Sequence, residues 1–185
     1  MVEFPKRIDC GDFELVKPEA TFERAREFYD IVVKNKDFLG QWLEWVDRYS
    51  KPEVAFDYLR MIEPTNEPSY LIFVNGKIAG GHGFVGFDER FKTAEIGYWL
   101  SPDFGGHGYV TRGINFLEDF AFDKCAMNRV QIRVDVNNLK SQAVAVRAGY
   151  QKEGILRQSY IVRGVPCDVI MYSKLKSEWE KGKVK

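Results

Sequence analysis

The stretch Phe104-Gly105-Gly106-His107-Gly108-Tyr109-Val110-Thr111 has the composition and the setting best suited to a chemical task. It lies between an apolar, strand-like run and a segment whose apolar residues recur at helical spacing. The first N–H groups of a helix have no acceptor within it, and the aligned peptide dipoles favour an anion there. Glycines at such a point let a phosphate reach the main chain without a Cβ in the way. The loop is therefore either a diphosphate cradle or a plain strand-to-helix connection. Two other phosphate loops fit poorly. A P-loop ends in Gly-Lys-Ser or Gly-Lys-Thr, and no such triplet occurs. A dinucleotide fingerprint needs a third glycine where Thr111 stands, within a parallel βαβ unit. Cys10, Cys125 and Cys167 are odd in number and widely spaced, without a CxxC or Cys/His pattern, so no metal site or disulfide framework is expected.

The elements that must position this loop follow from periodicity. Phe13 to Val16 reads as a short strand ended by Pro18. Thr21 is a helix N-cap, with Phe22, Ala25, Phe28, Tyr29 and Val32 at helical spacing. A second short helix is expected to hold Phe38, Leu39, Trp42, Leu43, Trp45 and Val46, with both tryptophans on one face. Ser50-Lys51-Pro52-Glu53 starts a third, with Val54, Tyr58 and Met61 as its stripe. The character changes after Pro64. Strands are expected at Ser69–Val74, Lys77–Phe87 and Thr93–Leu100, the first two joined by the hairpin signal Asn75-Gly76. A helix from about Tyr109 to Phe122 follows, then an alternating strand from Arg129 to Val136. Asn138–Ala148 is a helix stopped by Gly149, and the strands Gln151–Val162 and Val165–Lys174 flank Arg163-Gly164 before a charged tail. The order implies an α/β (α+β) fold: a mixed sheet, antiparallel in its middle, with at least one crossover.

Bulk properties bound the rest. With 185 residues, no repeat and no low-complexity linker, residues 1–185 are read as a single domain. Lys plus Arg equals Asp plus Glu at 27 each, which argues against a generalised nucleic-acid binder. Met1-Val2-Glu3-Phe4-Pro5 lacks the apolar run of a signal peptide, and no stretch approaches the ~20 apolar residues of a membrane span. A cytoplasmic protein without a membrane partner is the expectation.

Taken together, Thr93-Ala94-Glu95-Ile96-Gly97-Tyr98-Trp99-Leu100 and Gly106-His107-Gly108-Tyr109-Val110-Thr111 resemble the central motif of the GNAT N-acetyltransferases. Asn138-Leu139-Lys140-Ser141 and Arg147-Ala148-Gly149-Tyr150 resemble the family's second motif, an Asn-x-x-Ser opening a helix that closes on Gly-aromatic. Asn35-Lys36, Leu39, Trp42-Leu43 and Trp45 are similar to the ribosomal-protein (RimL/RimJ-like) branch. The resemblance covers nearly the whole chain. It implies a mostly antiparallel twisted sheet flanked by helices, whose central parallel strands, here Thr93–Leu100 and Arg129–Val136, splay to admit the pantetheine arm of acetyl-coenzyme A. Main chain at Trp99 and Leu100 would pair with that arm, and amides from Gly106, His107, Gly108, Tyr109, Val110 and Thr111 would hold the pyrophosphate. Asn138 would contact the arm and Ser141 would lie near the thioester sulfur. The sequence departs from the family pattern at Gly105, usually Gln or Arg, and at Val110, usually Gly or Ala. Tyr160 stands nearest to where the ribosomal-protein branch carries a Glu base.

The implied reaction is aminolysis of a thioester, which needs a neutral amine, a polarised carbonyl and a leaving thiolate. An N-terminal α-amine has a reference pKa of about 7.7–8, so a weak base or a water relay suffices. Ser141 is either the acid that returns a proton to the thiolate or a helix-capping residue. Glu95 shares a strand face with Gly97 and Trp99 and is either the base or a surface carboxylate paired with a neighbouring cation. His82 has a suitable unperturbed pKa but can equally be a packed residue. Tyr160 is a candidate acid or positioning hydroxyl. Trp42 and Trp45 are core, dimer packing or a wall of the acceptor pocket; Asp47, Glu53 and Glu63 either draw in a cationic amine or are simply solvated. The acceptor is then a protein N-terminus such as that of a ribosomal protein, or a small amine (polyamine, aminoglycoside, amino acid). A non-catalytic acyl-coenzyme A module is the alternative, and a homodimer is compatible with the aromatic-rich helices.

Overall fold

The computed structural model describes residues 4–63 and 68–183; Met1–Glu3, read above for a signal sequence, Pro64, where the character of the chain changes, and the last two residues of the charged tail lie outside them. The strands are β1 (Arg7–Asp9), β2 (Glu14–Val16), β3 (Ser69–Val74), β4 (Lys77–Asp88), β5 (Thr93–Leu100), β6 (Arg129–Asp135), β7 (Gln151–Val162) and β8 (Val165–Leu175). They form one sheet in the order β1-β2-β3-β4-β5-β6-β8-β7. Its hairpins rest on local chemistry. Asn75-Gly76 (φ 50° and 74°) and Arg163-Gly164 (φ 49° and 79°) both place two left-handed residues in a tight turn, whose twist matches the flanking strands.

Among the described residues every pairing is antiparallel except that of β5 with β6. That parallel contact is short, joining Thr93–Glu95 to Arg129–Gln131 and nothing beyond. Past that point each strand keeps its antiparallel partner instead. β5 follows β4 as far as Leu100 opposite Gly80, while β6 follows β8 as far as Asp135 opposite Val169. The sheet therefore opens along its middle.

Helices α1 (Phe22–Lys34) and α3 (Pro52–Ile62) cover one face of the N-terminal half. Thr21 caps α1 by accepting from the Arg24 amide at 3.1 Å, and Ala25, Phe28 and Val32 form its buried stripe against Leu59, Leu71 and Phe73. On the opposite face α4 (Tyr109–Asp119) lays Val110, Ile114 and Leu117 over Ala94, Ile96 and Ile132. Helix α5 (Leu139–Arg147) joins that layer through Ala145.

Four local expectations change. The single helix expected around Phe38–Val46 is instead a short α2 (Lys36–Leu39) and a 3-10 turn (Glu44–Arg48), so Trp42 and Trp45 do not share a helical face. Gly40 separates the two; a Cβ there would collide with the Arg163 guanidinium, which Asp47 holds at 2.7 and 3.2 Å. Helix α4 ends at Asp119 and continues as one wide turn, Phe120–Lys124. The charged tail forms α6 (Lys176–Lys183), docked by Trp179, whose ring lies 5.4 Å from Phe122 and whose indole N–H donates to Asp119 at 2.8 Å. β1 has no apolar signal and is held by its ladder and by the Arg7–Glu14 pair.

One buried ion pair ties the helical layer to the sheet. Lys174 on β8 donates to Glu118 on α4 at 2.7 Å, with side chains 12% and 3% exposed, and also to the Ala148 carbonyl. Burial raises the Glu118 carboxyl's pKa despite the neighbouring ammonium. Removing one partner strands the other charge, so Lys174→Met should cost about 3–5 kcal/mol in denaturant unfolding. The double variant Glu118→Leu/Lys174→Met should recover most of it; equal stability of Lys174→Met and the parent would dismiss this role.

Candidate active site

The opening between β5 and β6 contains a cavity of about 760 Å³. Tyr98, Ile132, Asn138 and Ser141 line it on the α4–α5 side of the sheet, and Glu95, Gly97, Trp99 and Arg133 on the other. Trp42, Trp45, Tyr49 and Tyr58 extend the second wall, and Tyr160 and Val169 contribute from the β7–β8 hairpin. One edge of β5 is bonded to β4; beyond Glu95 its other edge meets no strand among the described residues. Extended main chain with a free edge is what an amide-bearing arm can pair with.

At the end of β5 the chain makes a short turn, Pro102–Phe104, and reaches the glycine loop. Gly106 (φ 88°) and Gly108 (φ 74°) take left-handed conformations that orient successive amides together. A Cβ on either would meet nothing within 4 Å, so backbone conformation rather than crowding selects glycine. The first helical bond runs from Arg112 N to Gly108 O at 3.0 Å, and among the described residues the amides of Gly106 through Thr111 donate to no protein acceptor. The Val110 side chain is buried in the core, so this departure from the family pattern leaves the amide row intact. Gly105 removes a side chain, not an amide. His107 is exposed and stacks on Tyr109 at 5.4 Å. Sequence reasoning missed Arg112, which forks onto Asp12 at 2.6 and 3.0 Å and reaches the His107 carbonyl at 3.4 Å, fastening the loop to the β1–β2 turn. A charged residue in a helix's first turn carried no signal of that distant partner.

Asn138 is the N-cap of α5: its Oδ1 accepts from the Ser141 amide at 3.1 Å. The Ser141 hydroxyl lies 2.8 Å from that of Tyr98. Burial pushes the Tyr98 phenol up to about 12, the Ser141 bond opposing that rise. Glu95 accepts from Arg133 at 2.8 Å and from Gln131 at 3.1 Å while 14% of its side chain remains exposed, so it is a paired carboxylate that also borders the cavity. Glu95, Ser141 and Tyr160 thus meet at one cavity. His82 borders it too, yet its ring lies against Gly113 of α4, 4% exposed, with both nitrogens unpartnered among the described residues. Desolvation drives its pKa down to about 4. Such a ring is packed beneath a helix rather than presented to an amine. Asp47 is held by Arg163 and Lys36, which lower its pKa, and neither Glu53 nor Glu63 lines the cavity. Asp57 and Asp135 do. Among the described residues no group of three or more His, Cys, Asp or Glu could hold a metal ion, and no helix is long and apolar enough to cross a membrane.

A sheet opened at its one parallel pair, with a glycine-rich helix start beside the opening, defines the class of N-acetyltransferases. The family model described as an acetyltransferase (GNAT) domain matches residues 16–151, and the chain belongs to that family. It is an enzyme, an N-acetyltransferase dependent on acetyl-coenzyme A. The chain is 32% identical over 161 residues to the putative ribosomal N-acetyltransferase YdaF of Bacillus subtilis, covering 84% of this chain and 88% of that one. The solved structure of the microcin C7 self-immunity acetyltransferase MccE, in complex with acetyl-CoA and AMP, superposes with a TM-score of 0.83 at 32% identity, covering 93% and 97% of the two chains. That of RimL, a ribosomal L7/L12 alpha-N-protein acetyltransferase in complex with coenzyme A, gives 0.81 at 28%, covering 91% and 97%.

Two outcomes test this geometry. Above pH 6.5 His82 is neutral whether folded or unfolded, and between 6.5 and about 4 only the unfolded chain takes the proton, so stability falls as pH drops through that window by roughly 3 kcal/mol in all. In His82→Met, denaturant titrations across this range should show the total fall in stability smaller by that amount; an unchanged fall would contradict the buried neutral ring. Gly108→Ala should lower stability by about 1–2 kcal/mol through left-handed strain and weaken coenzyme A binding in calorimetry. Parent-like values of both would remove the loop's conformation from the argument.

Proposed function

We propose that the chain moves acetyl from acetyl-coenzyme A to a protein N-terminal α-amine of the ribosomal-protein type, by direct attack on the thioester. The cavity at the β5–β6 opening is the observation that carries the reading. It borders the free edge of β5, the Asn138 cap and the Ser141 hydroxyl together. The names of YdaF and RimL support the ribosomal-protein acceptor.

In this mechanism the amides of Gly106–Thr111 hold the diphosphate, the free edge of β5 at Trp99 and Leu100 pairs with the pantetheine amides, and Asn138 steadies the arm. The amine nitrogen attacks the carbonyl carbon, and main-chain N–H groups at the opening stabilise the oxyanion. Glu95, directly or through a water, takes the proton the nitrogen sheds. The C–S bond then breaks, its electron pair leaves with sulfur, and Ser141 donates a proton to the thiolate and regains one from solvent. Glu95, Asp57 and Asp135 offer the carboxylates that would meet a cationic amine. A small amine is the second reading, favoured by the aromatic wall of Trp42, Trp45, Tyr49 and Tyr58, which suits a flat or apolar acceptor.

Thiol release measured on a panel of N-terminal peptides and small amines separates the two. The proposal expects peptide turnover at least tenfold above that of polyamines, aminoglycosides and amino acids; the reverse order would establish the small-amine reading. Asn138→Ala should weaken coenzyme A binding by about tenfold, the equivalent of a lost ~1.4 kcal/mol interaction. Ser141→Ala should lower kcat by about 10²-fold with little change in KM. Parent turnover in the second variant would end the acid role.

A further inference from the structure

Tyr98 lies where the mechanism above needs one more group. It sits on β5 within the opening, alternates with Gly97 and Trp99, and points to the α5 side, where its hydroxyl oxygen is 2.8 Å from Ser141 Oγ and 3.2 Å from the Ser141 carbonyl. The hydroxyl crosses from strand to helix, and among the described residues its hydrogen-bond partners are both atoms of Ser141. A serine hydroxyl has one hydrogen and rotates freely unless something fixes its oxygen. A phenol is the stronger acid of the two and therefore the better donor. The phenol has a single hydrogen, and directed at Oγ, the nearer of its two oxygen neighbours, it leaves the serine's own hydrogen to point elsewhere, the cavity both residues line being the open direction.

We infer that Tyr98 is a positioning residue, which donates a hydrogen bond to Ser141 Oγ and so aims the serine hydrogen into the cavity at the leaving sulfur. This rests on the reading of Ser141 as the acid. In the step concerned, the C–S bond breaks, sulfur keeps the electron pair and takes the Ser141 proton, and the serine oxygen is reprotonated from solvent. Tyr98 keeps its own proton throughout; its phenol, held up to about 12 by burial, is protonated over the working range. As the bond to Tyr98 strengthens, negative charge building on the serine oxygen is stabilised, so the phenol assists only while the proton is in flight.

The pair Tyr98→Phe and Ser141→Ala, with their double variant, tests this. Phe keeps the ring, and a thermal midpoint near that of the parent checks the fold. Steady-state kinetics should show kcat of Tyr98→Phe lowered about tenfold, with KM for acetyl-coenzyme A and the coenzyme A dissociation constant within twofold. The double variant should be no slower than Ser141→Ala alone, because the phenol acts only through the serine. Full turnover in Tyr98→Phe beside an impaired Ser141→Ala would overturn the inference and leave the acid role standing. Full turnover in Ser141→Ala would overturn both. A further tenfold loss in the double variant would show that Tyr98 acts independently of Ser141, which also overturns it, as would a rise in KM or dissociation constant that accounts for the whole effect.

Discussion

A strand in the middle of a sheet cannot pair with two neighbours that diverge. β5 follows β4 to Leu100, while β6 is bound along its whole length to β8, so the parallel contact ends at Glu95 opposite Gln131. Beyond it, polar main-chain groups of β5 face an opening rather than a ladder. Buried peptide groups left without partners are costly, and proteins retain them where something else is to be bound. The catalytic reading follows from this one interruption. Without it, Tyr98, Asn138 and Ser141 would have no cavity in common with Glu95 and Trp99.

The remaining packing keeps that opening in shape. Glu118 and Lys174 fasten α4 to β8 across the buried layer. Asn138 fixes the start of α5, and Tyr98 ties that start back to β5. On the other face, Glu95 with Arg133 and Arg129 with Glu153 lace the strands across the sheet. Glu153 accepts from both Arg129 and Ser173, which hold its carboxyl down to about 2. At the far end Arg163 carries the β7–β8 hairpin to Asp47, completing the aromatic wall. These contacts are polar and directional, whereas the apolar core beneath them supplies most of the driving force for folding.

How legible this was depended on the range of the interactions. Periodicity and turn chemistry revealed the elements whose causes are local: the Asn75-Gly76 and Arg163-Gly164 turns, the Thr21 cap, and the Asn138-x-x-Ser141 start with its stop at Gly149. The splay itself was expected only through the resemblance to the GNAT family, since no single strand announces that its neighbour departs. Elements set by distant partners were misread. The segment around Trp42 looks helical in isolation but stops at Gly40, where the Arg163 guanidinium, from 123 positions later (163 − 40), occupies the space a side chain would take. α6 offers one apolar residue, Trp179, and β1 none that alternates, so neither rises above its surroundings. At the site, Ser141, Glu95 and Tyr160 were visible as residue types in plausible places. Tyr98 and Arg112 were not, because their significance lies in the hydroxyl and the carboxylate they meet across the fold.

The most direct test of the central claim is amide hydrogen exchange, measured residue by residue with coenzyme A and, separately, with its adenosine 3′-phosphate 5′-diphosphate portion, which lacks the pantetheine arm. If the opening beyond Glu95 receives that arm, intact coenzyme A slows exchange both at Gly106–Thr111 and within Ile96–Leu100, while the truncated nucleotide leaves Ile96–Leu100 as it was. Saturating coenzyme A without any added protection in Ile96–Leu100 would contradict the account.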